Sequence, residues 1–199
     1  MITDETQVWE ETTRSRGLAA GVGAALAGVD VLATAPAAFA AVRAVDAPPG
    51  VRVRRDRLAD REGIVLVACP GERRPDIDRV AACGRALAAV RLGASLDLLD
   101  QAVAHLSGRT SGGEPLIRRQ LITGEVGDIV AETEVLRAQI EAAATAVAVA
   151  EAHALLDDLG WRVTRLFGAA GYLADHPARA LYVAALVANT WVIGEREET

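Results

Sequence analysis

Two glycine turns hold the residues of this chain best suited to chemistry. The first is Arg109-Thr-Ser-Gly-Gly-Glu-Pro-Leu-Ile-Arg-Arg-Gln120. It places an arginine at a helix end, a polar glycine loop, and a glutamine one turn into the following helix. The second is Arg165-Leu-Phe-Gly-Ala-Ala-Gly-Tyr-Leu-Ala-Asp-His-Pro177, with Phe167 and Tyr172 at its shoulders. Guanidinium forks and open backbone N–H groups at a helix start are a means of holding an anionic group. Arg109, Ser111, Gln120, Arg165 and Gly168 are the candidates for that task. The plainer alternative is a dipole-matched surface arginine beside a helix–turn–helix corner. His105, His153 and Asp157 are further polar groups on helices.

Composition limits what these residues can serve. The chain has 199 residues, 51% apolar and only 4% aromatic, so its core must come from Ala, Val and Leu in packed helices. All basic residues are arginine, and the net charge is −6 without a long basic run. That balance argues against nucleic acid as the main partner. Cys69 and Cys83 form no CxxC pair and the three histidines are scattered, so neither a disulfide framework nor a metal site is expected. No uninterrupted apolar run reaches membrane-spanning length, and the start is acidic and polar. A cytoplasmic location is the expectation.

Residues 1–28 read as a short helix or flexible lead, whose glycines do not fit a dinucleotide fingerprint. Residues 29–72 read as a small β segment with strands at 29–34, 39–45, 51–54 and 63–69, separated by Pro36, Pro48-Pro49-Gly50 and Asp60–Gly63. Four helices are predicted over 75–194, followed by a tail, 195–199. The first starts at Pro75 and ends near Ser107-Gly108, with the stripe Val80, Gly84, Leu87, Ala94, Leu98, Ala102 and Leu106. The second starts at Pro115 and buries Ile122, Val126, Ile129, Thr133, Leu136, Ile140 and Ala144 on one face. A phase change at 143–147 begins the third, with Val149, Ala152, Leu156, Leu159, Val163 and Leu166. The fourth runs from about Pro177 to Ile193. Short links between such helices predict a mainly α fold, an antiparallel four-helix bundle with a small N-terminal β appendage.

The ordered set Val90–His105, Arg109–Gln120 and Arg165–Gly194 resembles the C-terminal four-helix domain of the acyl-CoA dehydrogenase family, over about residues 79–194. The family's Arg-x-(Thr/Ser)-Phe-Gly loop and following glutamine correspond to Arg109, Ser111, Gly112, Gly113 and Gln120. Its Gln-x-x-Gly-Gly-x-Gly-(Tyr/Phe) turn corresponds to Arg165, Gly168, Ala169, Gly171 and Tyr172. Asp30 to Thr34 and Asp46 to Val51 resemble the closing strands of the family's central β-domain. The resemblance implies a chain lacking the N-terminal helical domain. It also implies that Arg109, Ser111, Gln120, Arg165 and Gly168 reach the adenosine-pyrophosphate half of FAD held by a neighbouring subunit.

The departures from the family pattern bear on catalysis. The usual catalytic glutamate falls on Val192, and the alternative base position early in the first helix falls on Cys83. Neither is a carboxylate, and a base is needed to take the α-proton of an acyl thioester. Glu195 and Glu197 lie near Val192 but several residues out of register. The resemblance therefore implies a truncated subunit that adds part of the FAD site to a full-length partner. The alternatives are a flavin-free homo-oligomeric bundle serving as a scaffold, and a repurposed enzyme using a vacated pocket near His105, His153 or Asp157.

Overall fold

A computed structural model describes residues 5–72 and 74–193. Its axis is one long helix, α5 (Ile77–Gly108), about 48 Å long at 1.5 Å per residue. Asp76 caps its start, the carboxylate accepting from the backbone N–H of Asp78 and Arg79 at 3.1 and 3.2 Å. Every residue of the predicted α5 stripe is buried, because helices surround it. α1 (Glu5–Arg16), α2 (Leu18–Ala25), α6 (Gln120–Ala142), α7 (Ala146–Arg165) and α8 (Arg179–Trp191) all pack on it. α5 to α8 alternate in direction, forming the antiparallel bundle.

The break between α6 and α7 is where the phase change put it. Ala143 to Thr145 leave helical geometry, and the Thr145 hydroxyl caps α7 by accepting from Ala148 N–H at 3.2 Å. Ile129, Thr133, Leu136 and Ile140 are buried on the predicted face and Ile122 and Val126 half-buried, with Ala143 rather than Ala144 completing the stripe. α6 begins later than Pro115 suggested. Thr110–Ser111 and Glu114–Pro115 first pair as a two-stranded hairpin, β4 and β5, and a 3-10 turn at Leu116–Arg118 follows.

The N-terminal third departs most from expectation. Residues read as a short helix or lead are two helices built into the core. α1 lies close enough to α5 that a Cβ on Gly93 would sit 2.3 Å from the Glu10 carbonyl oxygen. Gly93 is therefore what lets the two backbones approach. α1 escaped notice because the residues it buries are Thr6, Glu10 and Thr13, not aliphatic ones. Glu10 is accommodated by Arg137 of α6, whose Nε and Nη2 donate to its two oxygens at 2.9 and 2.8 Å.

Three strands form, not four. The stretch 29–34 contains α3 (Val31–Thr34), whose cap Asp30 accepts from Ala33 N–H at 3.1 Å; that local bond favours a helical turn over a strand. β1 (Phe39–Arg43), β2 (Val53–Arg54) and β3 (Ile64–Ala68) make an antiparallel sheet in the order β1-β3-β2. β1 and β3 pair from Phe39 with Ala68 to Arg43 with Ile64. A short helix, α4 (Arg57–Arg61), links β2 to β3. The sheet packs with α2, the first half of α5 and α8 in one core. The second half of α5 packs with α6, α7 and Phe167 in another.

Candidate functional site

The alternating helices bring the C-terminal ends of α5 and α7 together with the N-terminal ends of α6 and α8. Arg109 caps α5, and its carbonyl accepts from Leu116 N–H at 2.8 Å, folding the hairpin back against the helix. Gly112 and Gly113 turn that hairpin with φ of 66° and 83°. Gln120 opens α6, Arg165 closes α7, and Gly168 (φ 59°) starts the 3-10 turn Gly168–Tyr172. Phe167 fastens this turn to α5, its ring centroid 5.4 Å from that of His105 and 4.4 Å from that of His176. Burial, and then the neighbouring His105, push the His176 imidazole below its usual pKa.

All five expected anion-binding residues are exposed at this end. Among the described residues, neither Arg109 nor Arg165 forms an ion pair. A Cβ added at Gly112, Gly113 or Gly168 would meet nothing within 4 Å, so this backbone is open on the outside. Ser111 is already engaged: Arg119 Nη2 donates to its hydroxyl at 2.9 Å and to its carbonyl at 3.2 Å. Arg118 and Arg119 stand exposed beside Gln120. The sequence reading passed over both, although their place in the loop string was a usable signal.

Cys83 and Val192, the two positions expected to correspond to the family's base, lie elsewhere, toward the start of α5 and the end of α8. Cys83 is buried, and that burial raises its thiol pKa, with Arg79 opposing. Val192 follows α8 and faces Gly84, where an added Cβ would lie 3.6 Å from Val192 Cγ2 and 2.7 Å from Val149 Cγ1. The corner is apolar, joined by Ala81 and Ala143. Glu195 and Glu197 lie outside the described residues.

A buried polar cluster joins His153 and Asp157, one turn apart on α7, to Arg91. Arg91 of α5, only 6% exposed, reaches α7. Its Nη1 donates to the His153 carbonyl at 3.0 Å and lies 3.0 Å from His153 Nδ1, and Nη2 donates to Asp157 Oδ1. His153 Nε2 lies 2.9 Å from the Gly84 carbonyl, which can only accept. The imidazole is therefore the neutral Nε2–H tautomer, with Nδ1 accepting from Arg91. Burial first, and then Arg91, lower the His153 pKa to about 4. His105 is not part of this cluster; it sits at the Phe167 end.

Beside the cluster lies a cleft of about 370 Å³ between α5, α7 and α8. Arg91, Ser95 and Asp157 lie along it with Trp161, Tyr172 and Tyr182. None of the five anion-binding candidates lines it, nor does Cys83 or Val192. Among the described residues, no cluster of metal-ligating groups forms, and no helix is long and apolar enough to cross a membrane.

Residues 79–197 match the family described as acyl-CoA dehydrogenase, C-terminal domain. Among solved structures, a Tcur3481-Tcur3483 steroid ACAD variant superposes with a TM-score of 0.56 at 22% identity, over 74% of this chain and 46% of that one. Butyryl-CoA dehydrogenase from Megasphaera elsdenii gives 0.53 at 20% identity, over 78% of this chain and 45% of that one. The ChsE4-ChsE5 complex from Mycobacterium tuberculosis gives 0.53 at 17%, over 71% and 44%. At these identities the likeness establishes the fold, and the chain spans under half the length of each structure's chain. No curated protein matches by sequence.

Proposed function

The chain belongs to the acyl-CoA dehydrogenase family through its C-terminal domain, and from that premise we propose that it is a helical subunit of a heteromeric flavin-dependent acyl-thioester dehydrogenase. In this reading it contributes part of an FAD site and the partner subunit contributes the catalytic base. The observation that carries it is the open bundle end, where Arg109, Ser111, Gln120, Arg165 and Gly168 gather without being enclosed by their own chain.

That end suits the pyrophosphate half of FAD. Guanidinium groups at Arg109 and Arg165 pair with phosphate oxygens, and Arg165 offers a stronger contact than the glutamine usual at its position. Gly168 and the head of α6 offer backbone N–H donors. Arg119 holds Ser111, so the hydroxyl is oriented before any phosphate arrives. Bound flavin supplies a two-electron acceptor. The residues of this chain would bind and orient it, while proton removal falls to the partner. Cys83 is buried with its thiol pKa raised, and Val192 has no proton-accepting group. That one of the matched structures is a complex of two differently named chains, ChsE4 and ChsE5, favours a heteromer.

The test is to purify the chain alone and co-expressed with a full-length family member, and to measure flavin content and mass. The expected result is a yellow heteromer whose flavin is lost on Arg109→Ala. A colourless homo-oligomer under both conditions would overturn the reading.

A further inference from the structure

The cleft between α5, α7 and α8 adjoins the bundle end through the Gly168–Tyr172 turn, but none of the five anion-binding candidates lines it. The chain has seven aromatic residues, three Trp, two Tyr and two Phe. Three of them, including both tyrosines, surround this one cleft while remaining more than half exposed: Trp161 at 59%, Tyr172 at 56% and Tyr182 at 57%. The core, by contrast, is mostly Ala, Val and Leu. Trp161 and Tyr172 stand as one wall, ring centroids 5.9 Å apart. Leu156, Leu173 and Leu181 complete the apolar surface. The volume of about 370 Å³ falls within the range of small-molecule sites.

The charged lining is equally specific. Arg91 is buried and faces the cleft, and three of its five N–H groups bond His153 and Asp157. The contacts to α7 hold the guanidinium in place, so no side-chain ordering is needed when a ligand arrives. Arg179 also lines the cleft, held by Glu62 at 2.6 Å and by the Ala174 carbonyl at 3.2 Å. Against these two guanidinium groups the lining has one carboxylate, Asp157, which is half-exposed and bonded to Arg91.

We propose that this cleft binds a small planar aromatic or fused-ring carboxylate, its rings against Trp161, Tyr172 and Tyr182 and its anionic group toward Arg91. Flat rings meet aromatic walls through stacked or tilted contacts, and a carboxylate takes charge-assisted hydrogen bonds from guanidinium N–H. The binding needs no flavin and no partner chain.

Isothermal titration of the full chain with 2-naphthoate, 2-naphthol and 2-naphthylmethylammonium tests it. The expected result is one saturable site for 2-naphthoate, with the neutral alcohol at least tenfold weaker and the cation without measurable binding. Ala185→Phe, which fills the cleft, and Trp161→Ala, which removes an exposed wall, should each weaken 2-naphthoate at least tenfold. Circular dichroism confirms that each variant is folded, and Trp161→Ala, altering an exposed side chain, serves if Ala185→Phe does not fold. Absence of saturable binding, alcohol or cation binding as tight as the carboxylate, or affinity unchanged in a folded variant would each overturn the proposal.

Discussion

Trp191 Nε1 donates to the Ala41 carbonyl at 2.9 Å, and the Ala41 N–H donates to the Thr190 hydroxyl at 3.0 Å. Ala41 lies in β1, an outer strand of the sheet. The end of α8 thus supplies the partners that a fourth strand would otherwise provide, which keeps the edge from pairing with another chain. Trp191 is fully buried, so sheet and bundle depend on one another through it.

Trp191→Phe retains most of the apolar volume but leaves the Ala41 carbonyl without its donor. A loss of about 1–3 kcal/mol is expected for an orphaned buried acceptor. Trp191→Ala adds a cavity and should cost about 3–5 kcal/mol. Urea denaturation followed by circular dichroism reads both; equal stability of Trp191→Phe and the parent would show that this bond contributes nothing.

Gly93→Ala places a methyl 2.3 Å from a backbone oxygen of α1, and backbone cannot turn aside as a flexible side chain can. α1 should lift from α5 and become the first site of limited proteolysis. Gly124→Ala is the matched control, because its Cβ meets nothing within 4 Å. There the gain in helix propensity should stabilise by up to about 1 kcal/mol. Opposite signs in the two midpoints are the expected outcome.

What sequence made legible followed periodicity. The stripes of α5, α6 and α7, and the break at Ala143–Thr145, were readable because aliphatic residues recur every three or four positions. α1 was not, since it buries Thr6, Glu10 and Thr13, and its tight fit resides in a glycine 83 residues after Glu10. α3 was mistaken for a strand because Val and Leu suit either element when the run is short; the Asp30 cap decided it. The clustering of Arg109, Ser111, Gln120, Arg165 and Gly168 at one end follows from helix order. The cleft had no comparable signal. Arg91, Asp157, Trp161, Tyr172 and Tyr182 come from three helices and a turn, and only packing assembles them.

Stability should fall in mild acid through His153. Its pKa is lowered from the ordinary 6.5 to about 4 in the folded chain, so between these values the unfolded chain binds more protons than the folded one. Stability then rises with pH across that window and is lost as pH drops from 6.5 toward 4. The total is on the order of 3 kcal/mol. His153→Gln keeps one donor for Gly84 and one acceptor for Arg91, and should flatten this part of the profile. Denaturation midpoints at half-unit pH steps check it; an unchanged slope in the variant would exclude His153 as the source.

The arginines separate into two groups with opposite expected behaviour. Arg137 is three-quarters buried and bonds both oxygens of the buried Glu10. Arg137→Ala would leave that carboxylate without its counter-charge, at a cost of about 2–3 kcal/mol. Arg109 and Arg165 are exposed and, among the described residues, unpaired. Replacing either by alanine should change stability by no more than about 0.5 kcal/mol. A pair of exposed guanidinium groups that does little for the fold has its charge available for something outside the chain. Thermal denaturation of the three variants, measured before any flavin experiment, makes that distinction. If Arg109→Ala unfolds the protein as readily as Arg137→Ala does, Arg109 is structural, and loss of flavin on its removal would carry no weight for the shared site.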